Sequence, residues 1–190
     1  MTRDDILVAA AQVFRQKGFH GASMSDIAEA VNLQKASLYH HVSSKQEILL
    51  ELLNRALVML TDGMHAVMAR DVPADEKLRL AMRSYLQVMT DNLDVTAVLL
   101  MEHRSLNDEL HARHIPIRDH FEEMWRDLIH GGNETGIFDC PDVPMTVRGL
   151  LGVLNWTITW YRLDGALSPE QIADHFSEMF LKGIRKGESR

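Results

Sequence analysis

The run Ser23-Met24-Ser25-Asp26-Ile27-Ala28-Glu29-Ala30-Val31-Asn32-Leu33-Gln34-Lys35-Ala36-Ser37-Leu38-Tyr39-His40-His41 decides the fold. Ser23 with Asp26 three residues later is a capping box that opens a helix, and Ile27, Ala28 and Val31 give that helix a short apolar face. Asn32 tolerates a positive φ that most residues avoid, so the helix is expected to stop there. A second short helix is expected from Lys35 to His41. Two short helices joined by a tight turn have the proportions of a helix-turn-helix, whose second helix enters the major groove of DNA. The same proportions also suit a plain helical hairpin in a three-helix bundle.

Working outward, Ile6, Ala10, Val13 and Phe14 fall on one helical face, Thr2 with Asp5 forms a capping box, and Gly18 before Phe19 reads as a left-handed helix stop. The first helix is therefore expected over residues 3–17. Downstream, Ser44 with Glu47 opens a long helix through Ile48, Leu49, Leu52, Leu53, Ala56 and Leu60. Further helices are expected near 74–91, 94–106, 107–131, 143–164 and 168–185, separated by Asp71-Val72-Pro73, by Asn92 and by the loop from Gly131 to Pro144. Ser168-Pro169-Glu170-Gln171 marks the last start with an N-cap, a Pro in the first turn and a Gln to complete the box. No window shows sustained period-2 alternation, so the chain reads as all-α, with about nine helices in an N-terminal three-helix bundle and a C-terminal helical domain.

The charge divides the same way. The whole chain carries a formal net charge of −7 over 190 residues, which argues against a wholly basic nucleic-acid binder. Residues 1–48, however, hold Arg3, Arg15, Lys17, Lys35 and Lys45 against Asp4, Asp5, Asp26, Glu29 and Glu47, a net of zero. All of the net negative charge lies in residues 49–190, with all three Trp. The chain therefore divides into a charge-balanced front over 1–48 and a larger, acidic back over 49–190. No apolar run approaches the roughly 18 residues of a membrane span. Asp4 and Asp5 precede a short, interrupted apolar stretch, unlike an export signal. Cys140 is the one cysteine and cannot form an internal disulfide, so a cytoplasmic location is expected.

The segment from Ile6 to Leu53, with Gly18-Phe19, Ser23-Met24-Ser25-Asp26-Ile27-Ala28, Lys35-Ala36-Ser37-Leu38-Tyr39-His40-His41-Val42 and Ser44-Lys45, resembles the N-terminal domain of tetracycline-repressor (TetR) family transcription regulators. Asn32 and Ala36 stand where the family usually has Gly, and His41-Val42-Ser43 where it often has Tyr-Phe-Pro. The resemblance implies a DNA-binding domain over 1–48, a ligand-binding and dimerisation domain over 49–190, and a dimer bound to a pseudo-palindromic operator. At the matched positions, Gln34, Lys35 and Ser37 are candidates for base edges, where Gln suits adenine and Lys suits guanine. Tyr39, His40, Ser23, Ser25 and Lys45 are candidates for phosphate. For Ser23 a purely capping role stands beside the phosphate reading, and Leu38 and Val42 read as core.

In the back half, Val147, Leu150, Leu151, Leu154, Ile158 and Tyr161 form one broad stripe facing a partner helix with Ile172, Phe176, Met179, Phe180 and Ile184. Gly149 and Gly152 let another backbone come close. The resemblance implies that the last two helices pair with those of a second subunit, and Leu150, Leu151, Leu154, Ile158, Tyr161, Ile172, Phe176 and Phe180 are the candidate dimer residues. Met82, Tyr85, Met89, Leu99, Leu100, Met101, Met124 and Trp125 are soft apolar groups suited to a flexible hydrophobic ligand, with His103 near them. Residues Asn155 to Gly165 resemble a segment of acyl-coenzyme A-responsive regulators of lipid and steroid catabolism. That likeness implies that Arg162 pairs with a phosphate and that Trp156 or Trp160 stacks on adenine. An ordinary ion pair for Arg162 is the competing reading.

His103, His111 and His114 raise a rival, a metal-dependent helical enzyme. The sequence has no His-Glu-x-x-His signature, phosphate loop or nucleophile elbow, so no catalytic residue, cofactor or metal is expected. A DNA-binding architectural protein without an effector is the second alternative. The expected function is a one-component regulator, a repressor released from its operator by a hydrophobic small molecule, with an acyl-coenzyme A thioester as a candidate.

Overall fold

The computed structural model describes residues 2–184, and every regular element among them is helical. The order is α1 (Arg3–Gly21), α2 (Met24–Ala30), α3 (Lys35–Leu38), α4 (Lys45–Met68), α5 (Ala74–Asp91), α6 (Leu93–Glu102), a 3₁₀ turn (His103–Ser105), α7 (Asp108–Glu134), α8 (Val143–Trp160) and α9 (Pro169–Ile184). The expected end of the last helix at residue 185 lies outside the described residues.

The caps occur where their side chains can satisfy the first free N–H groups of a helix. Thr2 and Asp5 bond reciprocally at 3.2 and 2.7 Å, as do Ser23 and Asp26. Ser168 and Gln171 do the same at the start of α9. Ser44 caps α4 with half a box: its hydroxyl accepts from Glu47 N–H at 3.1 Å, while the Glu47 carboxylate turns to Arg113 at 3.3 Å. Gly18 has φ +71°, and this left-handed residue kinks α1 and sends Phe19 back against Phe14, with ring centroids 5.4 Å apart. Asn32, at φ +54°, breaks the chain after α2.

Three ends fall short of expectation. Helix α3 stops at Leu38 and not at His41, because His40 N–H and His41 N–H bond three residues back, to Ser37 and Leu38, and tighten the coil into turns. Helix α6 gives way at His103 to the 3₁₀ turn, and α8 ends at Trp160 because Tyr161 takes extended backbone with ψ 136°.

The chain folds as two compact units, Met1–Val58 with Asn92–Arg118 and Met59–Asp91 with Asp119–Arg190. Neither coincides with the division at residue 48 that charge suggested. In the first unit, α1 packs on α2 and α6 around Ile6, Ala10, Phe14, Ile27, Leu38 and Leu49, each at most 1% exposed. In the second, α5 packs on α8 and α9, burying Leu78, Met82, Leu86, Leu150, Leu154 and Ile172. Arg83 adds a two-point pair to Asp174 across α5 and α9, at 2.6 and 2.8 Å. No described helix is long and apolar enough to cross a membrane.

Candidate functional site

The first unit presents α3 as an outward ledge. Leu38 is fully buried and Val42 nearly so, and these anchors leave Gln34, Lys35, Tyr39 and His40 exposed, with Ser37 half-buried. The end of the ledge is clamped from two helices: Arg3 of α1 donates to the His41 carbonyl at 2.6 Å and pairs with Glu51 of α4 at 2.5 Å. Both oxygens of Glu51 receive Arg3 donors, so the guanidinium is a planar bracket between α1, α4 and the turn after α3. Sequence reasoning misses Arg3, since a contact across 38 residues leaves no local signal.

Two of the expected phosphate contacts are engaged elsewhere. The Lys45 ammonium donates to the carbonyls of Phe19 and Ala22, both at 2.7 Å, and sits 4.3 Å from the Phe19 ring centroid. It pins the loop between α1 and α2, and the requirement for a buried partner for those carbonyls explains why a lysine stands there. The Ser23 hydroxyl both accepts from Asp26 N–H and donates to the Asp26 carboxylate at 2.6 Å, so its capping role uses its donor and an acceptor site. Lys17 pairs with the other Asp26 oxygen at 2.6 Å, and that bond, with those from Ser23, holds the carboxyl well below its ordinary range. Ser25 remains exposed beside this cap.

In the second unit, Tyr85, Phe121 and Trp125 form a triangle of rings with centroids 6.2, 6.2 and 6.3 Å apart. The Tyr85 hydroxyl donates to Asn155 Oδ1 at 2.5 Å, and burial raises its pKa so that it stays protonated. Met82, Met89 and Met124 are buried in the same unit. Leu99 and His103 belong to the first unit, where Leu99 is buried and His103 is half-buried. Met101 is corrected: at 65% exposure it points to solvent near the end of α6.

The expected stacking residues lie on the outside. Trp156 is 67% and Trp160 45% exposed, and Arg162, beyond the end of α8, pairs with Asp164 at 3.2 Å. Of the residues assigned to a subunit interface, Leu150, Leu154 and Ile172 are buried within the single chain, because the contact of α5 with α8 and α9 already covers them. Leu151, Ile158, Tyr161, Phe176 and Phe180 are half-buried. The outer surface of α8 and α9 carries Met145, Trp156, Trp160 and Met179, and a Cβ added at Gly152 would meet nothing within 4 Å. This is an apolar surface of a kind that water-facing helices rarely present.

Residues 6–52 match the bacterial regulatory proteins of the tetR family, and residues 71–184 match the tetracyclin repressor-like C-terminal domain. The chain belongs to the TetR family of transcriptional regulators. As a TetR-family chain it is 26% identical over 186 residues to the transcriptional repressor KstR2 of Mycobacterium tuberculosis, covering 97% of this chain and 93% of that one. The TetR-family regulator PfmR of Thermus thermophilus superposes with a TM-score of 0.87 at 34% identity, over 95% of this chain and 99% of PfmR. The structure of AibR in complex with isovaleryl coenzyme A and operator DNA gives 0.86 at 27% identity, over 93% and 96%.

TetR regulators bind operator DNA and act as dimers, and the family and its relatives are regulators, not enzymes. The metal-enzyme alternative is set aside on that ground. In this TetR chain the histidines have other surroundings: among the described residues no group of three or more His, Cys, Asp or Glu is placed to hold a metal. His114 is 1% exposed and bonds through Nδ1 to Asn54 at 3.0 Å, while His111 is half-buried. Nearby, the Gln46 amide donates to the Ser105 carbonyl at 2.9 Å and accepts from Asn107 N–H at 3.0 Å, tying the first turn of α4 to the start of α7. Neither link carries a sequence signal, since Gln and His read as surface residues on their own helices.

Proposed function

We propose that this TetR-family chain is a homodimeric repressor, released from a pseudo-palindromic operator by an apolar small molecule, with an acyl-coenzyme A thioester as the favoured class. The observation that carries the DNA-binding part is the ledge: Gln34, Lys35, Tyr39 and His40 are exposed on a helix that Leu38 anchors. Gln34, Lys35 and Ser37 take base edges, and Ser25, Tyr39 and His40 take phosphates. Residues 1–48 act as the reading head with zero net charge, so phosphate neutralisation per head is modest and two heads on one operator supply the affinity.

The dimer reading is supported by the exposed apolar surface of α8 and α9, where Trp156, Trp160, Met145 and Met179 need cover. The effector reading is supported by the ring triangle and by the methionines buried in the same unit, and by the likeness to a regulator solved with isovaleryl coenzyme A. On this reading the protein acts in the cytoplasm, where coenzyme A esters and the chromosome meet. The effector releases DNA only to the extent that it binds the released state more tightly than the bound one.

The test is a gel-shift titration of a duplex obtained by in vitro selection against the purified protein, repeated with octanoyl-coenzyme A and with coenzyme A alone. Release by the thioester but not by coenzyme A supports the proposal. A sequence-specific complex that no apolar ester disturbs would make the chain an architectural binder and overturn the effector half. Failure to select any sequence would overturn the operator half.

A further inference from the structure

The Trp125 side chain is 1% exposed, and its indole N–H has no hydrogen-bond acceptor among the described residues. Buried polar groups are nearly always paired, and an indole N–H is a donor that cannot be reshaped into anything else. Evolution readily places Phe or Leu where only apolar bulk is needed, so an unpaired indole in a core is an unusual choice. The neighbouring rings make the position more particular. The Tyr85 and Trp125 rings are T-shaped at 6.2 Å and the Phe121 and Trp125 rings at 6.3 Å, so the indole stands among rings, and neither of them supplies its N–H with a hydrogen-bond acceptor. The one polar group of that trio besides the indole, the Tyr85 hydroxyl, already spends its proton on Asn155.

We propose that the Trp125 Nε1–H reads the effector, and that the effector is an apolar molecule carrying a carbonyl-type acceptor within its apolar body. The inference rests on the reading of this unit as an effector-binding one and sharpens it by naming the atom that is recognised. A hydrocarbon chain alone leaves the donor unpaired whether bound or not. A ketone, ester or thioester oxygen placed at Nε1 removes that penalty on binding, and a site built to hydrogen-bond a ligand group discriminates strongly against the analogue that lacks it. Met124, next to Trp125 in sequence, and Met82 and Met89 on α5 are unbranched thioethers whose rotamers adjust to an entering chain. The Tyr85 oxygen retains a lone pair and can accept from a ligand hydroxyl.

The experiment follows the indole N–H signals of ¹⁵N-labelled full-length protein, with Trp125→Phe identifying the Trp125 peak among the three. Two matched pairs of probes are titrated: octanoyl-coenzyme A against S-octyl-coenzyme A, which has a methylene for the carbonyl, and 2-decanone against 2-methyl-1-decene, with the oxygen replaced by carbon. The expected result is a downfield shift of the Trp125 peak with at least one carbonyl probe, binding at least tenfold tighter than its carbon analogue, and a loss of that preference in Trp125→Phe. If 2-decanone gives this result and octanoyl-coenzyme A does not, the acyl-coenzyme A reading fails while the role of Trp125 stands. If neither carbonyl probe moves the peak, or each binds no better than its carbon analogue, or Trp125→Phe keeps the preference, the proposal is overturned.

Discussion

Asn54 of α4 and His114 of α7 meet inside the first unit, 3.0 Å from the histidine Nδ1 to the carboxamide Oδ1, where His114 is 1% exposed. With the oxygen accepting, Nδ1 carries the proton of the neutral ring. Burial, then the positive charge of Arg118 and the neighbouring His103 and His111, push the His114 pKa down to about 4 from 6.5.

The consequence is an acid-sensitive first unit. Below about pH 6.5 the unfolded chain takes up a proton at His114 that the folded chain resists, so stability falls as pH drops from about 6.5 to about 4 and is unaffected above that window. We expect the wild type to lose roughly 2 kcal/mol more between pH 7.5 and 4.5 than His114→Gln, which keeps an N–H donor but cannot titrate. Urea unfolding at the two pH values measures the difference, and equal losses would show that His114 does not carry it.

Lys45 separates a structural role from a DNA-contacting one. Removing its bonds to the Phe19 and Ala22 carbonyls should destabilise the protein by about 2 kcal/mol in Lys45→Ala. The salt dependence of operator binding should stay unchanged, because a phosphate contact, if lost, would reduce the slope by about one. A reduced slope with unaltered stability reverses the assignment.

Lys35→Ala should weaken operator binding by about tenfold through loss of a base contact worth ~1–3 kcal/mol, and Tyr39→Ala by about tenfold on any sequence through loss of a hydrogen bond to a charged phosphate, worth ~1.5–3 kcal/mol. Sedimentation should show the same assembly as the wild type. Dissociation without loss of DNA affinity would mean that the ledge belongs to an interface between subunits.

Within the second unit, burial should outweigh charge. Leu78→Ala empties a fully buried position and is expected to cost about 3 kcal/mol. Arg83→Ala, losing a pair whose two side chains are 43% and 42% exposed, should cost under about 1 kcal/mol. Thermal unfolding of both variants ranks them, and the reverse order contradicts the packing account.

Much of this architecture is legible in the sequence because it is local. Thr2 with Asp5, Ser23 with Asp26 and Ser168 with Gln171 lie three residues apart, and Gly18 and Asn32 announce their backbone by residue type alone. The reading ledge is legible for the same reason, as Leu38 separates the anchored face from the open one. Lys45, Gln46, Arg3 and His114 are different. Their partners lie 26, 59, 48 and 60 residues away, so their roles exist only once the helices have packed. The outer position of Trp156 and Trp160 is hidden too, since α8 is apolar on more than one side and periodicity alone does not say which side α5 covers.

The three tryptophans also give the protein a built-in set of optical gauges. Trp125, shut away from water beside Tyr85 and Phe121, should emit at the blue end of the indole range, whereas Trp156 and Trp160, on the open surface, should emit to the red. A bulk quencher such as iodide then reaches two of the three emitters in a single chain. Covering the α8 surface shifts the red component alone, and an event at Trp125 changes the blue component alone. One emission spectrum can therefore record changes at the α8 surface and changes at Trp125 as separate colours, without any label being attached.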